Sequence, residues 1–537
     1  MASDILPART FAKTRHDLCS VELKDSLVPD EKITLVKNAV ANVVRGSSSA
    51  IVALAVPPFL TRAMSPETYG VWALVLQLSA YVGYLDFGIQ TAVSRFVAHA
   101  NERGDADFRD RMVNTAFVVL TVAGALAVIA LIAGAALMPR LFGEMPPALF
   151  NDARLALLLV GSSLAIGLPM SVFNGVFVGL QRNEVPAGII ATSRIISAVL
   201  LIVVVRHGGT IPQIAASMAL VNVAAYIVQY VMFRRLAPSM RLTPSLASKR
   251  HLKELSAYCL SLTVWSFAML LITGLNVTLV AHYQFGAVAY YSIAASLVTF
   301  IAGLQNAIFS AMIPNSAVLH ARGATEELGT LLQVTSRYGM FLLLFTGLPL
   351  ILLGDWVLRL WVGGAYAAHG FLLLQILIVA NIIRLSMTPY SVLLVGTGQQ
   401  RLVIMTPLLE GLTNLAVSVV LAPFYGAIGV AIGTLAGAVA GVLGHLLYNM
   451  RKTADIRVDV QKLIKGAILK PLVCSTPILA VGLVLHWING GTPVVRATSF
   501  LFGCIGALVC ALKWGDVGGF RNVMRHGTAQ WPNSAGA

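Results

Sequence analysis

Long apolar windows separated by short polar connectors run along the chain from about residue 40 to residue 512. About 20 residues at a rise of 1.5 Å per residue cross the roughly 30 Å hydrocarbon layer of a bilayer, and most windows reach that length. The pattern predicts an all-α polytopic membrane protein with about fourteen transmembrane helices, grouped six, six and two. The predicted spans are residues 40–60, 71–93, 112–137, 155–178, 185–205, 211–232, 255–280, 288–313, 338–353, 371–395, 402–421, 427–447, 472–486 and 497–512.

Two basic connectors, residues 234–253 and 451–470, divide these windows into three groups. They predict two six-helix lobes followed by a final helix pair. The predicted units are a cytoplasmic tail (1–37), an N-lobe (38–233), a cytoplasmic connector (234–253), a C-lobe (254–450), a second cytoplasmic connector (451–470), the last two helices (471–513) and a carboxyl-terminal tail (514–537).

Composition excludes an ordinary soluble protein. Hydrophobic residues make up 57% of the chain and charged residues only 11%, and the mean hydropathy is +0.80; a soluble domain is about 25% charged. The five cysteines show no paired spacing, so neither a disulfide framework nor a metal site is indicated, and no cofactor is expected. Residues 1–37 lack the apolar core of a signal peptide, which indicates a cytoplasmic tail.

The distribution of Lys and Arg predicts the orientation in the membrane. With the amino-terminal tail inside, 29 of the 38 basic residues fall on cytoplasmic segments, six on the opposite face and three inside predicted helices. Basic loops resist translocation, so both termini should be cytoplasmic. The same distribution accounts for the net charge of +15 without a nucleic-acid partner.

The two lobes show signs of an internal repeat. Arg103-Gly104 recurs as Arg322-Gly323, and the segment 179–182 recurs as 398–401, both 219 residues further along. An even number of helices per copy makes the copies parallel, with a central cavity between them, as in many transporters.

Ionisable residues inside apolar windows are candidates for function, because burying a charge in the bilayer is costly. Arg45 and Asp86 should lie about 10 to 14 Å from the cytoplasmic ends of neighbouring helices. They either form a structural salt bridge, or Asp86 orients Arg45 towards an anionic head group in a cavity. The 219-residue offset places Gln305 and its neighbour Asn306 at the depth of Asp86, as a polar cavity wall.

Arg194 and Arg384 are mid-helix cations whose guanidinium groups suit phosphate oxygens. Pairing with Glu410 or with free carbonyls near proline is the structural alternative. Glu410 is the other deep carboxylate, either a coupling-ion site with Asp86 or the partner of an arginine.

Two further patterns have structural interpretations. Glycines at spacing four on the twelfth helix predict close helix packing; they are Gly429, Gly433, Gly437 and Gly441. Several aromatic residues have the chemistry to stack on sugars, although packing or a place at the membrane interface is the more common role; they are Trp72, Tyr81, Tyr84, Trp265, Tyr290 and Tyr291.

No enzyme signature is present: the sequence has no Walker A loop, no zinc-binding His/Glu spacing and no nucleophile elbow. We therefore predict no catalytic residues.

Several motifs, in this order, resemble the polysaccharide exporters of the multidrug/oligosaccharidyl-lipid/polysaccharide (MOP) superfamily, and most of all the Wzx-like O-antigen and exopolysaccharide flippases. They are Asn38, Ser65-Pro66-Glu67-Thr68-Tyr69-Gly70-Val71-Trp72, Leu85-Asp86-Phe87-Gly88 followed by Arg95, Gly179-Leu180-Gln181-Arg182, Leu360-Trp361-Val362-Gly363 and Tyr425-Gly426-Ala427-Ile428-Gly429.

The resemblance implies two lobes around a cavity and alternating access in the bacterial inner membrane. It implies transport of an undecaprenyl-diphosphate-linked oligosaccharide by a monomer, with a polysaccharide polymerase and a chain-length regulator as partners. It also implies that cationic cavity residues bind the diphosphate, and Arg45 is the best match in position. A cation-coupled multidrug antiporter of the same fold is the alternative, followed by a lipid II flippase and a membrane glycan polymerase.

Overall fold

The computed structural model describes residues 51–310, 312–453, 456, 459–487 and 493–514. These residues are almost entirely helical and include no strand, which confirms the predicted all-α class. Arg45, most of the first predicted span, the predicted amino-terminal tail and residues 515–537 of the predicted carboxyl-terminal tail lie outside the described residues.

The described part of the first half includes seven α-helices with defined bounds. They are α1 (Pro57–Ala63), α2 (Pro66–Ala80), α3 (Ile89–Arg103), α4 (Ala106–Leu141), α5 (Phe150–Gly179), α6 (Glu184–Arg206) and α7 (Ile211–Leu236). A 3-10 helix, Tyr81–Asp86, joins α2 to α3, so the α-helical hydrogen bonding is interrupted within the predicted second span.

The second half begins with a broken helix. A π-helical turn, Leu270–Gly274, separates α8 (Lys249–Met269) from α9 (Asn276–Tyr283), where one uninterrupted span was predicted. The helices that follow are α10 (Val288–Ser310), α11 (Ile313–Ala321), α12 (Thr325–Trp361), α13 (Gly364–Leu385), α14 (Thr388–Gly396) and α15 (Met405–Gly444).

A π turn, His445–Asn449, and several short pieces complete the described chain. They are α16 (Met450–Lys452), α17 (Val460–Leu463), the π turn Ile464–Leu469, α18 (Lys470–Cys474), α19 (Thr476–Trp487) and α20 (Pro493–Trp514).

Ten described helices are long and apolar enough to cross a membrane, or eleven if the two parts of the bent helix in 249–274 count as one span. One of the ten, in 400–452, contains a turn at Gly426. The predicted number of fourteen stays a prediction.

That turn folds α15 into two antiparallel segments. Gly426 has φ +53° and ψ −130°, and the side chain of Gln284 accepts a hydrogen bond from the Ala427 amide at 2.9 Å. A Cβ on Gly433 or Gly437 would lie 2.0 to 2.9 Å from atoms of Ser418, Asn414 or Glu410. Only glycine allows the two segments to approach so closely, and the prediction of close packing is confirmed.

Helix boundaries follow the offset of 219 residues. Helices α4 and α12 begin at Ala106 and Thr325, and the preceding Gly104 and Gly323 have φ of +67° and +69°. The two halves of the chain therefore use the same left-handed turn directly before α4 and α12.

The connector between the halves is bonded to α4. The buried amide of Asn114 donates to the carbonyl of Arg241 at 2.6 Å and accepts from the Thr243 amide at 2.7 Å. Asp110 and Thr115 accept from the amides of Arg241 and Ser248, each at 3.2 Å. The connector is thus fixed to the first half as far as the start of α8.

The two halves also meet where α2 and the 3-10 helix contact the π turn. Gln77 and Tyr81 donate to the carbonyl of Gly274 at 2.7 and 2.9 Å. This carbonyl belongs to the π turn, where regular helical bonding is interrupted. The first half therefore stabilises the break in the α8–α9 helix.

Candidate functional site

A cavity of about 390 Å³ lies among helices of the second half. Its walls come from α8 and the following π turn, α10, the α13–α14 junction and both segments of α15. Three ionisable side chains line it: Arg384, Glu410 and His445. All of these helices except α8 belong to segments that can span a membrane by length and composition, so the cavity lies among candidate transmembrane helices.

Arg384 is held by its own helix. Its guanidinium donates to the Asn381 side-chain oxygen at 2.7 Å, and the Asn381 amide donates to the Leu377 carbonyl at 2.8 Å. Asn381 is buried, and the bond to Leu377 fixes which way its amide faces. A guanidinium has five N–H donors, so this contact leaves donors for an anion.

Glu410 is buried on the first segment of α15 and reaches the same cavity. Its carboxylate lies against Gly441 of the second segment, where a Cβ would be 2.7 Å from Oε2. The Arg384 guanidinium and the Glu410 carboxyl group therefore line the same cavity.

Asn306 lines the cavity, whereas Gln305 does not. Gln305 is fully buried, and its amide donates to the Leu385 carbonyl at 2.9 Å. That carbonyl has no helical partner because Pro389, four residues on, lacks an N–H. Gln305 thus ties α10 to the end of α13, beside Arg384, and leaves its neighbour Asn306 facing the cavity.

One face of α8 and the following π turn forms another wall of the cavity. Trp265, Met269, Ile272 and Thr273 follow helical spacing and all line the cavity. Next to this face, Gly411 leaves room for Leu271, since a Cβ on residue 411 would be 2.6 Å from the Leu271 Cβ. The tryptophan wall is therefore packed tightly against the helix that carries Glu410.

His445 lies at one end of the cavity. It is buried, four residues after Gly441, and its Nδ1 is 2.9 Å from the Asn449 side-chain nitrogen. Asn449 also donates to Thr406 at 2.7 Å. Thr406 lies four residues before Glu410, about one helical turn, on the first segment of α15. The polar group of His445, Asn449 and Thr406 is therefore close to Glu410.

Asp86 does not line this cavity; it is the last residue of the 3-10 helix, directly before the turn to α3. It accepts hydrogen bonds from the Ser171 hydroxyl at 3.0 Å and from the Gln90 amide at 3.4 Å. Phe87 and Gly88 have φ of +51° and +76°, and a Cβ on Gly88 would overlap Leu262 of α8. The motif is therefore a tight turn at the contact between the two halves.

Arg194 lies on α6 with an exposed side chain and does not line the cavity. Arg45 is outside the described residues. The structure therefore brings together Arg384, Glu410 and Asn306, three of the predicted candidates.

The cavity has the chemistry of an anion site with an amphipathic wall. It offers a tethered guanidinium, amide and hydroxyl groups and an exposed indole. Within the described part of the chain, no group of three or more His, Cys, Asp and Glu residues is arranged to hold a metal ion.

The helices have the fold of solved transporters of the MOP superfamily. The chain superposes on a solved structure of the lipid II flippase MurJ in an inward closed conformation with a TM-score of 0.69, at 13% identity, covering 91% of this chain and 100% of that one. It also superposes on an inward-facing multidrug resistance MATE family transporter of the MOP superfamily with a TM-score of 0.58, at 17% identity, covering 80% and 96%.

The chain belongs to the polysaccharide biosynthesis protein family, whose sequence profile matches residues 35–320. It is 22% identical to a putative O-antigen transporter of Shigella flexneri over 413 residues, which are 74% of this chain and 94% of that protein. The prediction of a MOP-superfamily transporter, and not an enzyme, is confirmed by the family, this relative and the fold.

Two residues of the site, Asn381 and His445, are not identified from the sequence. A signal for His445 exists, because it continues the glycine series at spacing four after Gly441. Asn381 carries no comparable signal, since its role depends on which helices surround it. Trp265 is one of six aromatic residues that the sequence offers for stacking on a sugar or for packing, and the sequence does not distinguish it from the other five.

Proposed function

We propose that the protein moves an undecaprenyl-diphosphate-linked oligosaccharide, an O-antigen or exopolysaccharide repeat unit, across the bacterial inner membrane by alternating access. Family membership, the O-antigen transporter relative and the fold support a transporter of this kind. The observation that carries the proposal is Arg384, a tethered guanidinium in a cavity among helices that can span a membrane.

Arg384 binds the diphosphate in this proposal. A guanidinium forms parallel hydrogen bonds to phosphate oxygens, and a low-dielectric cavity strengthens them. Glu410 supplies the counter-charge when the site is empty, which makes it the candidate for the coupling ion. Arg45 oriented by Asp86, and Arg194, remain proposed contacts for the diphosphate at other stages of transport, with Gln305 as a supporting residue.

The remaining parts of the proposal concern the cell. The protein acts as a monomer with both termini in the cytoplasm, and its partners are a polysaccharide polymerase and a chain-length regulator. Its substrate is membrane-bound throughout, which suits a chain with ten or more apolar helices.

Complementation tests the role of Arg384. The chromosomal copy is depleted in the native host and replaced by Arg384→Ala, Arg384→Glu or Arg384→Lys. We expect the alanine and glutamate variants to accumulate lipid-linked oligosaccharide in the inner leaflet and to lose surface polysaccharide. The lysine variant should be intermediate, because an ammonium keeps the charge but not the planar fork.

Arg359→Ala is the matched control. Arg359 is an exposed arginine paired with Asp355 at 2.8 Å, and its loss should leave export at the wild-type level. Normal export by Arg384→Glu would show that this cavity does not bind the diphosphate.

A cation-coupled multidrug antiporter is the second candidate, favoured by the buried carboxylate of Glu410 in the same cavity. Drug susceptibility of the same strains separates the two functions. Drug resistance that depends on Glu410 or Asp86, together with export that tolerates Arg45→Glu and Arg384→Glu, would favour the antiporter.

A further inference from the structure

We infer that the cavity contains a second subsite, formed by Trp265 and Asn306, which holds the sugar ring attached directly to the diphosphate. This inference rests on the proposed function, because it needs the diphosphate on Arg384. It adds the recognition of a sugar to that of the charged linkage.

Trp265 differs from the other aromatic residues of the transmembrane region. Its side chain is 41% exposed and lines the cavity, whereas Trp72 and Tyr291 are each only 2% exposed. Tyr81 is engaged by the Gly274 carbonyl, and Tyr290 lies against the rings of Tyr366 and His369. Of the six aromatic residues named in the sequence analysis, Trp265 is thus the one that lines the cavity with the proposed diphosphate site.

The position of Trp265 is fixed by the helix that carries it. Met269 and Ile272 continue the same face, and the tight contact of Leu271 with Gly411 sets how far this face stands from Glu410. An indole ring on a packed helix offers a rigid flat surface. The C–H face of a pyranose lies favourably on such a surface, because the ring face of an aromatic carries partial negative charge.

Asn306 supplies hydrogen bonds to complement that surface. It lines the cavity with an exposed side chain. Its neighbour Gln305 is bonded to the Leu385 carbonyl, and Leu385 directly follows Arg384. A side-chain amide offers both donors and an acceptor to sugar hydroxyls, so Asn306 provides sugar-binding groups close to the phosphate-binding cation.

The volume of the cavity limits how much substrate enters it. About 390 Å³ is at the lower end of the range for small-molecule pockets. That space suits one sugar ring beside a phosphate better than a whole oligosaccharide. The protein should therefore recognise the first sugar and tolerate variation in the sugars beyond it.

Binding to the purified full-length protein in detergent tests the subsite. One probe is undecaprenyl diphosphate. The other is the same lipid carrying one sugar, either N-acetylglucosamine or galactose, whichever binds more tightly. We expect wild type to bind the glycosylated lipid about tenfold more tightly than the bare lipid, the gain of one aromatic contact. Trp265→Ala and Asn306→Ala should each lose most of this preference and keep the affinity for the bare lipid.

Two further variants make the outcome specific. Trp265→Phe should recover part of the preference, because it restores a flat ring. Phe267→Ala removes a 51% exposed ring of the same helix that does not line the cavity, and it should behave as wild type. Retained binding of the bare lipid by Trp265→Ala shows that this variant is folded.

The results separate the subsite from the proposed function. If Arg384→Ala loses both probes but wild type binds the bare and glycosylated lipids equally, the subsite is wrong and the diphosphate site stands. If Trp265→Ala keeps the full preference, the subsite is also wrong. If Arg384→Ala binds both probes as wild type does, the diphosphate is not on Arg384, and both proposals fail together.

Discussion

Asn381 is expected to position Arg384 for the diphosphate. The asparagine oxygen accepts from the guanidinium at 2.7 Å, while its own amide is bonded to the Leu377 carbonyl. Replacement by leucine keeps the volume of this buried side chain and removes the acceptor. The guanidinium would then have to be ordered by the substrate itself.

The magnitude follows from that ordering. Immobilising a long side chain on binding costs about 0.5 to 1.5 kcal/mol, so Asn381→Leu should weaken binding of undecaprenyl diphosphate by about 2- to 12-fold. Asn381→Asp should weaken it further, because a carboxylate at the same position forms a direct ion pair with Arg384 and competes with the phosphate.

The assay is equilibrium binding of undecaprenyl diphosphate to purified protein in a double-mutant cycle. Asn381→Leu should have no further effect once Arg384 is alanine, because the asparagine acts through the arginine. An equal loss in both backgrounds would mean that Asn381 acts on the fold in general. Tighter binding by Asn381→Asp would refute the positioning role outright.

Three further outcomes are expected. Gly437→Leu should lower the stability of the purified protein by about 1 to 3 kcal/mol in thermal unfolding, because it separates the two segments of α15; Gly134→Leu, where a Cβ has open space, is the control, and an equal loss in both would contradict this reason. Asn114→Leu should speed proteolysis of the connector near Arg241, since it leaves a carbonyl and an amide unpaired; an unchanged cleavage rate would place the restraint elsewhere. Glu410→Gln should reduce transport driven by an imposed proton or sodium gradient in proteoliposomes at least tenfold while sparing lipid binding, and unaffected gradient-driven transport would remove Glu410 as the coupling residue.

The long helices were predictable because hydropathy alone marks them. The window 112–137 lies inside α4 (Ala106–Leu141), and the window 155–178 lies inside α5 (Phe150–Gly179). The repeat offset was also readable, since Gly104 and Gly323 are glycines required by the same left-handed turn.

The breaks and the cavity were not predictable from the same signal. The π turn at Leu270–Gly274 contains no proline, and its Gly274 carbonyl accepts hydrogen bonds from Gln77 and Tyr81 of the other half. Likewise, Arg384 and Glu410 are 26 residues apart on different helices, and their meeting depends on how α13 packs against α15. Gln305 was expected in the cavity wall, but the structure gives it a bond to a carbonyl left free by Pro389.

Reconstituted transport tests the proposed function most directly. The full-length protein is placed in vesicles that carry undecaprenyl diphosphate N-acetylglucosamine in the inner leaflet, and an external galactosyltransferase reports the sugar that arrives outside. We expect the labelled fraction to rise with wild type and with Arg359→Ala, and to stay at the level of empty vesicles with Arg384→Ala. Labelling by Arg384→Ala at the wild-type rate, or no labelling by wild type, would contradict a flippase that binds its diphosphate in this cavity.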